Sequence, residues 1–182
     1  MKKYLPIYLL IVLGVLCRFL PHPANFAPIA ALALFGGLYL PKKWSIVLPM
    51  SVMLATDLFI GFYTWQIMLS VYLSFALMVG VGLLVRNNKK FHTVLGGTLI
   101  GSIIFFVLTN ASVWAFGTMY THDFSGLMNS YYAALPFFRN SLLGDLFYTA
   151  ILVGGYEFIL NYSAKKTTAN TVILSETKNP LN

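Results

Sequence analysis

Six long apolar runs leave this chain few ways to fold. They cover about residues 4–20, 26–40, 45–63, 66–85, 92–116 and 140–162. A bilayer core of ~30 Å is crossed by about 20 apolar residues in helical form. A helix also satisfies its own backbone polar groups, as hydrocarbon demands. The runs are continuous rather than alternating over ~10 residues, which favours helices over a barrel. Composition agrees: of 182 residues, 9% are charged and 58% hydrophobic, and the mean hydropathy is +0.76. Five acids and twelve bases cannot cover a soluble surface of this size. The expectation is an all-α, polytopic membrane protein, with six transmembrane helices in residues 1–162 and a disordered polar tail at 163–182. The second run is the weakest. Its 15 residues reach only ~22 Å, so this helix starts earlier, near Pro23, or meets thinned lipid.

Lys2 and Lys3 before the first run resemble the start of a secretory signal. The bulky Leu16 before Cys17, and the absence of an Ala-x-Ala site, favour a retained span instead. With the N-terminus inside, the cytoplasmic segments hold Lys2, Lys3, Lys42, Lys43, Arg86, Lys89, Lys90, Lys165, Lys166 and Lys178, and the other side only Arg18 and Arg139. Ten bases against two is a strong positive-inside asymmetry, predicting cytoplasmic termini on both ends. Because the +7 net charge sits in these short clusters, it does not indicate nucleic-acid binding. The lone Cys17 cannot form an intrachain disulfide.

Two outer segments stand out. Residues 21–28 contain Pro21, Pro23 and Pro28 and read as a rigid extended link. Residues 117–138 read as the longest loop, with a short interfacial helix started by Asp123 or Ser125 and stopped by Pro136. Below them, Asp57, Asn110 and Asp145 each lie six residues from the outer end of their run, at Tyr63, Phe116 and Arg139. Six helical residues are ~9 Å, so the three are expected in one layer of the outer leaflet. Ser141, Asp145 and Thr149 share a helix face. Arg139 and Arg18 lie above and are placed to neutralise the carboxylates. Intramembrane ionisable groups are costly and mark function, so this layer predicts a polar pocket open to the outside. Asn25, Phe26 and Trp114 adjoin it as gate and aromatic wall, against the simpler reading of outer aromatics as an interfacial belt. Glu157, near the inner end, is expected at the headgroups or paired with Lys165 or Lys166.

Nine of fourteen glycines, including Gly36, Gly37, Gly80, Gly82, Gly96, Gly97 and Gly101, fall in the inner halves of the runs. They predict tight helix packing, or a surface for another membrane subunit. No glycine is followed by lysine, so the chain has no P-loop and is not an ATPase. Hydrolase motifs and a channel filter are absent, which argues against an enzyme or an ion channel. His22, His92 and His122 are scattered and read as surface residues rather than metal ligands. No metal and no cofactor is expected.

The run from Arg18 through Pro-His-Pro-Ala-Asn-Phe-Ala-Pro to Gly37, and the run from Tyr120-Thr-His-Asp-Phe-Ser-Gly through Ala-Ala-Leu-Pro-Phe-Phe-Arg-Asn-Ser-Leu-Leu-Gly to Asp145, resemble an uncharacterised bacterial family of proposed transport proteins. The resemblance covers the chain to about Ser163. That family is similar in layout to the substrate-binding (S) components of energy-coupling factor (ECF) transporters. The resemblance implies a multi-pass protein of the bacterial cytoplasmic (inner) membrane that binds a vitamin-like solute near its outer face. A transmembrane energising subunit with ATPases would be its partner. S components carry an Ala-x-x-x-Ala docking surface in span one; here span one has only Gly14, and Ala27-x-x-x-Ala31 and Ala33-x-x-x-Gly37 lie in span two.

The expected function is therefore uptake of a small vitamin-like or cyclic solute, with Asp57, Asn110, Asp145, Arg139, Asn25, Phe26 and Trp114 as substrate-binding residues. The lipid bilayer and the solute are the expected contacts, not nucleic acid. A proton-coupled secondary transporter, with Asp57 or Asp145 carrying the proton, and a non-transporting membrane scaffold are the alternatives.

Overall fold

The computed structural model describes residues 23–178 together with Ile7, Leu9, Val12 and Leu16. The first apolar run, with Arg18 and His22, otherwise lies outside the described residues. Those four residues are helical, Ile7 buried and the other three exposed. Six helical stretches follow: α1 (Ile29–Tyr39), α2 (Lys42–Ile60), α3 (Trp65–Val85), α4 (Phe91–Phe116), α5 (Phe124–Thr149) and α6 (Gly155–Lys178). A π-helical turn, Ala150–Gly154, joins α5 to α6 without a break. No strand occurs among the described residues.

Among the described residues, three helices are long and apolar enough to cross a bilayer: α3, α4, and the continuous helix over Phe124–Lys166. The packing has the polarity that hydrocarbon requires. Helix α4 buries Gly97, Thr98, Gly101, Ser102, Thr109 and Ser112, while Ile100, Ile103 and Val107 are exposed. Two of its buried hydroxyls donate to carbonyls one turn back, Thr98 to Val94 and Thr109 to Phe105. A water-soluble helix would bury its aliphatic residues; small and hydroxyl residues between helices with aliphatics outside suit lipid. The chain is a helical membrane protein.

The weakest run forms the centre. Helix α1 has 11 residues, ten of them buried, and is packed against α2, α3, α4 and α5. Its ~16 Å length is half of what a bilayer core needs. It begins at Ile29, not near Pro23, because residues 23–28 form a turn that ends at Pro28. Ala30, Ala31, Ala33, Gly36 and Gly37 make α1 thin enough for neighbours to surround it. Where α1 meets α3, a Cβ placed on Gly37 would lie 2.7 Å from Gly82 Cα, and one placed on Gly82 would lie 2.9 Å from Gly37 Cα. Only glycine permits this backbone contact.

Beside that contact, the Arg86 guanidinium donates to the Gly37 carbonyl at 3.0 Å and also to the Leu40 carbonyl. These bonds tie the end of α3 to the turn between α1 and α2. The Tyr39 hydroxyl donates to Glu157 at 2.6 Å, and its ring packs on Phe35 and Tyr156. Glu157 thus bonds a tyrosine on the central helix and pairs with neither Lys165 nor Lys166, more than two turns along its own helix.

The last third of the chain corrects two expectations. Residues 117–138 are not a long loop: α5 starts at Phe124 and passes through Pro136 into the sixth apolar run. Proline removes one backbone donor from the ladder, and neighbouring helices can compensate for that in a membrane protein. Asp123 does start the helix, its carboxylate accepting from the Gly126 backbone N–H at 2.6 Å. That bond and the Thr121 hydroxyl hold the Asp123 carboxyl below its ordinary range. At the other end, α6 runs to Lys178, where the composition suggested a disordered segment from 163.

Candidate ligand-binding site

Away from the Gly37–Gly82 contact the bundle opens into two adjoining cavities. The larger, about 310 Å³, is bordered by Asn25, Asp57, Tyr63, Phe75, Ser141 and Asp145, among others. The smaller, about 260 Å³, lies against Thr109, Asn110, Ala134, Phe137 and Phe138. Asn25, Tyr63, Val71, Phe105 and Ser141 line both, so the two form adjacent compartments. The larger volume falls at the lower end of the range for small-molecule sites.

Asp57 and Asp145 reach the larger cavity from opposite parts of the sequence, and both are buried, at 3% and 4% exposure. Helix α2 supplies Asp57 one turn before its end at Ile60, and the Tyr72 hydroxyl of α3 donates to it at 2.8 Å. Asp145 comes from α5 and accepts from the Ser102 hydroxyl of α4 at 2.6 Å. Thr98 and Thr149 lie one turn below, their hydroxyls 3.5 Å apart. The cavity wall thus combines two carboxylates and hydroxyls with the aromatic rings of Phe75 and Phe105, whose centroids are 5.2 Å apart.

Asn110 does not share the tier of Asp145. Ser102, which touches Asp145, precedes Asn110 by eight residues on α4, or ~12 Å of helix. Asn110 lines the smaller cavity only, and its amide donates to the Phe106 carbonyl of its own helix at 2.7 Å. The depth estimate from the sequence slipped because α5 begins 15 residues before Arg139, so Arg139 marks no helix end. Arg139 is exposed and lines neither cavity, so it does not neutralise Asp57 or Asp145 there. A guanidinium gains more from water or headgroups than from apolar walls.

The segment 23–28 closes one side. Asn25 adopts φ +64°, a left-handed conformation that asparagine tolerates better than most residues. Its neighbour Phe26 does not line either cavity; it packs on Phe147 and Tyr148, with centroids 5.7 and 5.6 Å away. Asn140 donates to the Ala24 carbonyl at 3.1 Å, and Gly144 lets the Phe26 backbone lie against α5. Phe26 is therefore the anchor of this segment and Asn25 its contribution to the site. Trp114 is also an anchor: its indole N–H donates to the Thr121 and Asp123 carbonyls at 3.0 and 3.1 Å, fixing the α4–α5 turn. Tyr72 and Ser102 were not singled out from the sequence. Their only signal there is a hydroxyl within an apolar run, which such runs often satisfy against their own backbone.

Among the described residues no group of three His, Cys, Asp or Glu side chains is placed to hold a metal. His122 instead lies 3.2 Å from the Gly117 carbonyl. What the arrangement offers is hydrogen-bond acceptors and aromatic faces around a small volume. These features define a class, the helical membrane proteins that enclose a polar cavity between packed helices. Within it, the chain belongs to a family of unknown function, DUF6580, whose model matches residues 1–169. No curated protein and no solved structure matches it.

Proposed function

We propose that this protein is a membrane transport protein that captures a small vitamin-like or cyclic solute from the outer side of a bacterial cytoplasmic membrane. In this reading it crosses the bilayer six times, has both termini in the cytoplasm, and serves as the substrate-binding subunit of an ECF-type uptake system. The observation that carries the reading is the burial of Asp57 and Asp145 on one cavity of about 310 Å³. A purely structural role would favour such carboxylates closing on protein partners, with little space between them. The asymmetry of lysine and arginine supports this orientation, in which the cavity faces the outside.

An energising partner would need a docking surface other than the two small-residue pairs in span two. Ala31, Ala33 and Gly37 are already buried inside the chain. The test is solute uptake by cells carrying Asp57→Ala or Asp145→Ala, with membrane insertion checked separately. Uptake reduced about tenfold or more with normal insertion supports the reading; unchanged uptake in both variants removes these residues from the site. A proton-coupled carrier is the second reading, favoured by the hydroxyl rather than basic partner of Asp145. Uptake into liposomes by this chain alone, driven by a pH gradient without ATP, would select it.

A further inference from the structure

We propose that the captured solute is an organic cation, a flat ring bearing an amine or amidine, and that Asp145 is its counter-ion. This deepens the reading of the larger cavity as the solute site and rests on it. Among the described residues Asp145 makes one side-chain hydrogen bond, from the neutral Ser102 hydroxyl, and no lysine, arginine or histidine lines either cavity. A buried carboxylate without a basic partner is strongly disfavoured unless a cation or a proton joins it.

A second observation comes from the residue one turn before Asp145. Ser141 is 9% exposed, lines both cavities, and has no hydrogen-bond partner among the described residues. A hydroxyl without a protein partner on a cavity wall is a donor and acceptor available to a ligand. Ser141 and Asp145 fall on one face of α5, so an N–H-rich group could bond both at once. The Phe75 and Phe105 rings on the same cavity add faces that attract positive charge. An anionic ring would meet Asp145 in a low-dielectric site, and a neutral one would leave its charge uncompensated.

Benzamidine, benzamide and benzoate have nearly the same shape and differ in charge. Their binding to the purified full-length protein in nanodiscs, at neutral pH, reads the inference directly by calorimetry. Benzamidine is expected to bind at least about tenfold more tightly than either of the others. Asp145→Asn should remove most of that preference, and Ser141→Ala should weaken benzamidine about three- to fivefold. Benzamide or benzoate binding as well as benzamidine in the unmodified protein overturns the cationic assignment and leaves the cavity as a solute site. A benzamidine preference that survives in a folded Asp145→Asn protein overturns Asp145 as the counter-ion. Binding of none of the three overturns the solute-site reading itself, and the cationic assignment with it. The comparison among probes needs no variant, so a failure of Asp145→Asn to fold leaves the charge preference testable.

Discussion

The two ends of the bundle solve opposite problems with the same central helix. Toward Tyr39, α1 touches α3 backbone to backbone at Gly37 and Gly82, and Arg86 and Glu157 bond across the join. Toward Ile29, the neighbours of α1 stand apart, and hydroxyls and carboxylates occupy a cavity that Ile29 and Ala30 help to line. Removing side chains closes one end, while polar side chains with local partners hold the other open. Eleven residues thus carry both a seal and a site, and packing density, not hydrophobicity, distinguishes them.

Added volume breaks that contrast most directly. Gly37→Leu is expected to abolish folding or cost more than about 3 kcal/mol, because the intruding atoms meet backbone. By contrast, Ala30→Val, on the cavity wall, should change stability by about 1 kcal/mol or less while shrinking the site. Apparent melting temperature in detergent checks both; equal losses would show that the two ends are packed alike. Arg86→Ala comes next. Losing its bonds to the Gly37 and Leu40 carbonyls should cost about 2 kcal/mol. Tyr39→Phe removes one hydroxyl bond to Glu157 and should cost about 1 kcal/mol by the same measurement. The smallest effect is expected at the α5 cap, where Asp123→Ala should lower the melting temperature by about 2 °C. That contribution carries a pH signature. The folded-state carboxyl is held below its ordinary value of 3.8, so the cap is fully effective above that pH and fades as acid protonates it. A pH-independent difference between Asp123→Ala and the parent protein would contradict the assignment.

Where an apolar run is bounded by turn residues, its helix was readable almost to the residue. Helices α3 and α4 begin one residue before the expected 66 and 92 and end at 85 and 116 as expected. Proline was the misleading signal. Pro136 lies inside α5, as Pro49 lies inside α2, since a membrane helix can tolerate the loss of one backbone donor. Asp57 and Asp145 were legible as buried acids from their charge within apolar runs, although the depth count that joined them began at Arg139, which ends no helix. Their donors were not, since a tyrosine or serine in an apolar run reveals its partner only once two helices are brought together. Arg139 illustrates the opposite error, a charge counted toward the nearest acid when solvent offers better hydration.

The π-turn at Ala150–Gly154 sits directly after Thr149, one turn beyond Asp145. Accommodating an extra residue in a helix rotates everything after it by about 100° relative to what precedes it. Tyr156 and Glu157 therefore reach the Tyr39 ring and hydroxyl by virtue of that offset. Deleting one residue from the turn would restore a regular spiral and swing both side chains away from their mates, with Asp145 left where it is. The bulge acts as an indexing joint, letting one continuous rod present its acid to the chamber and its lock to the closed end.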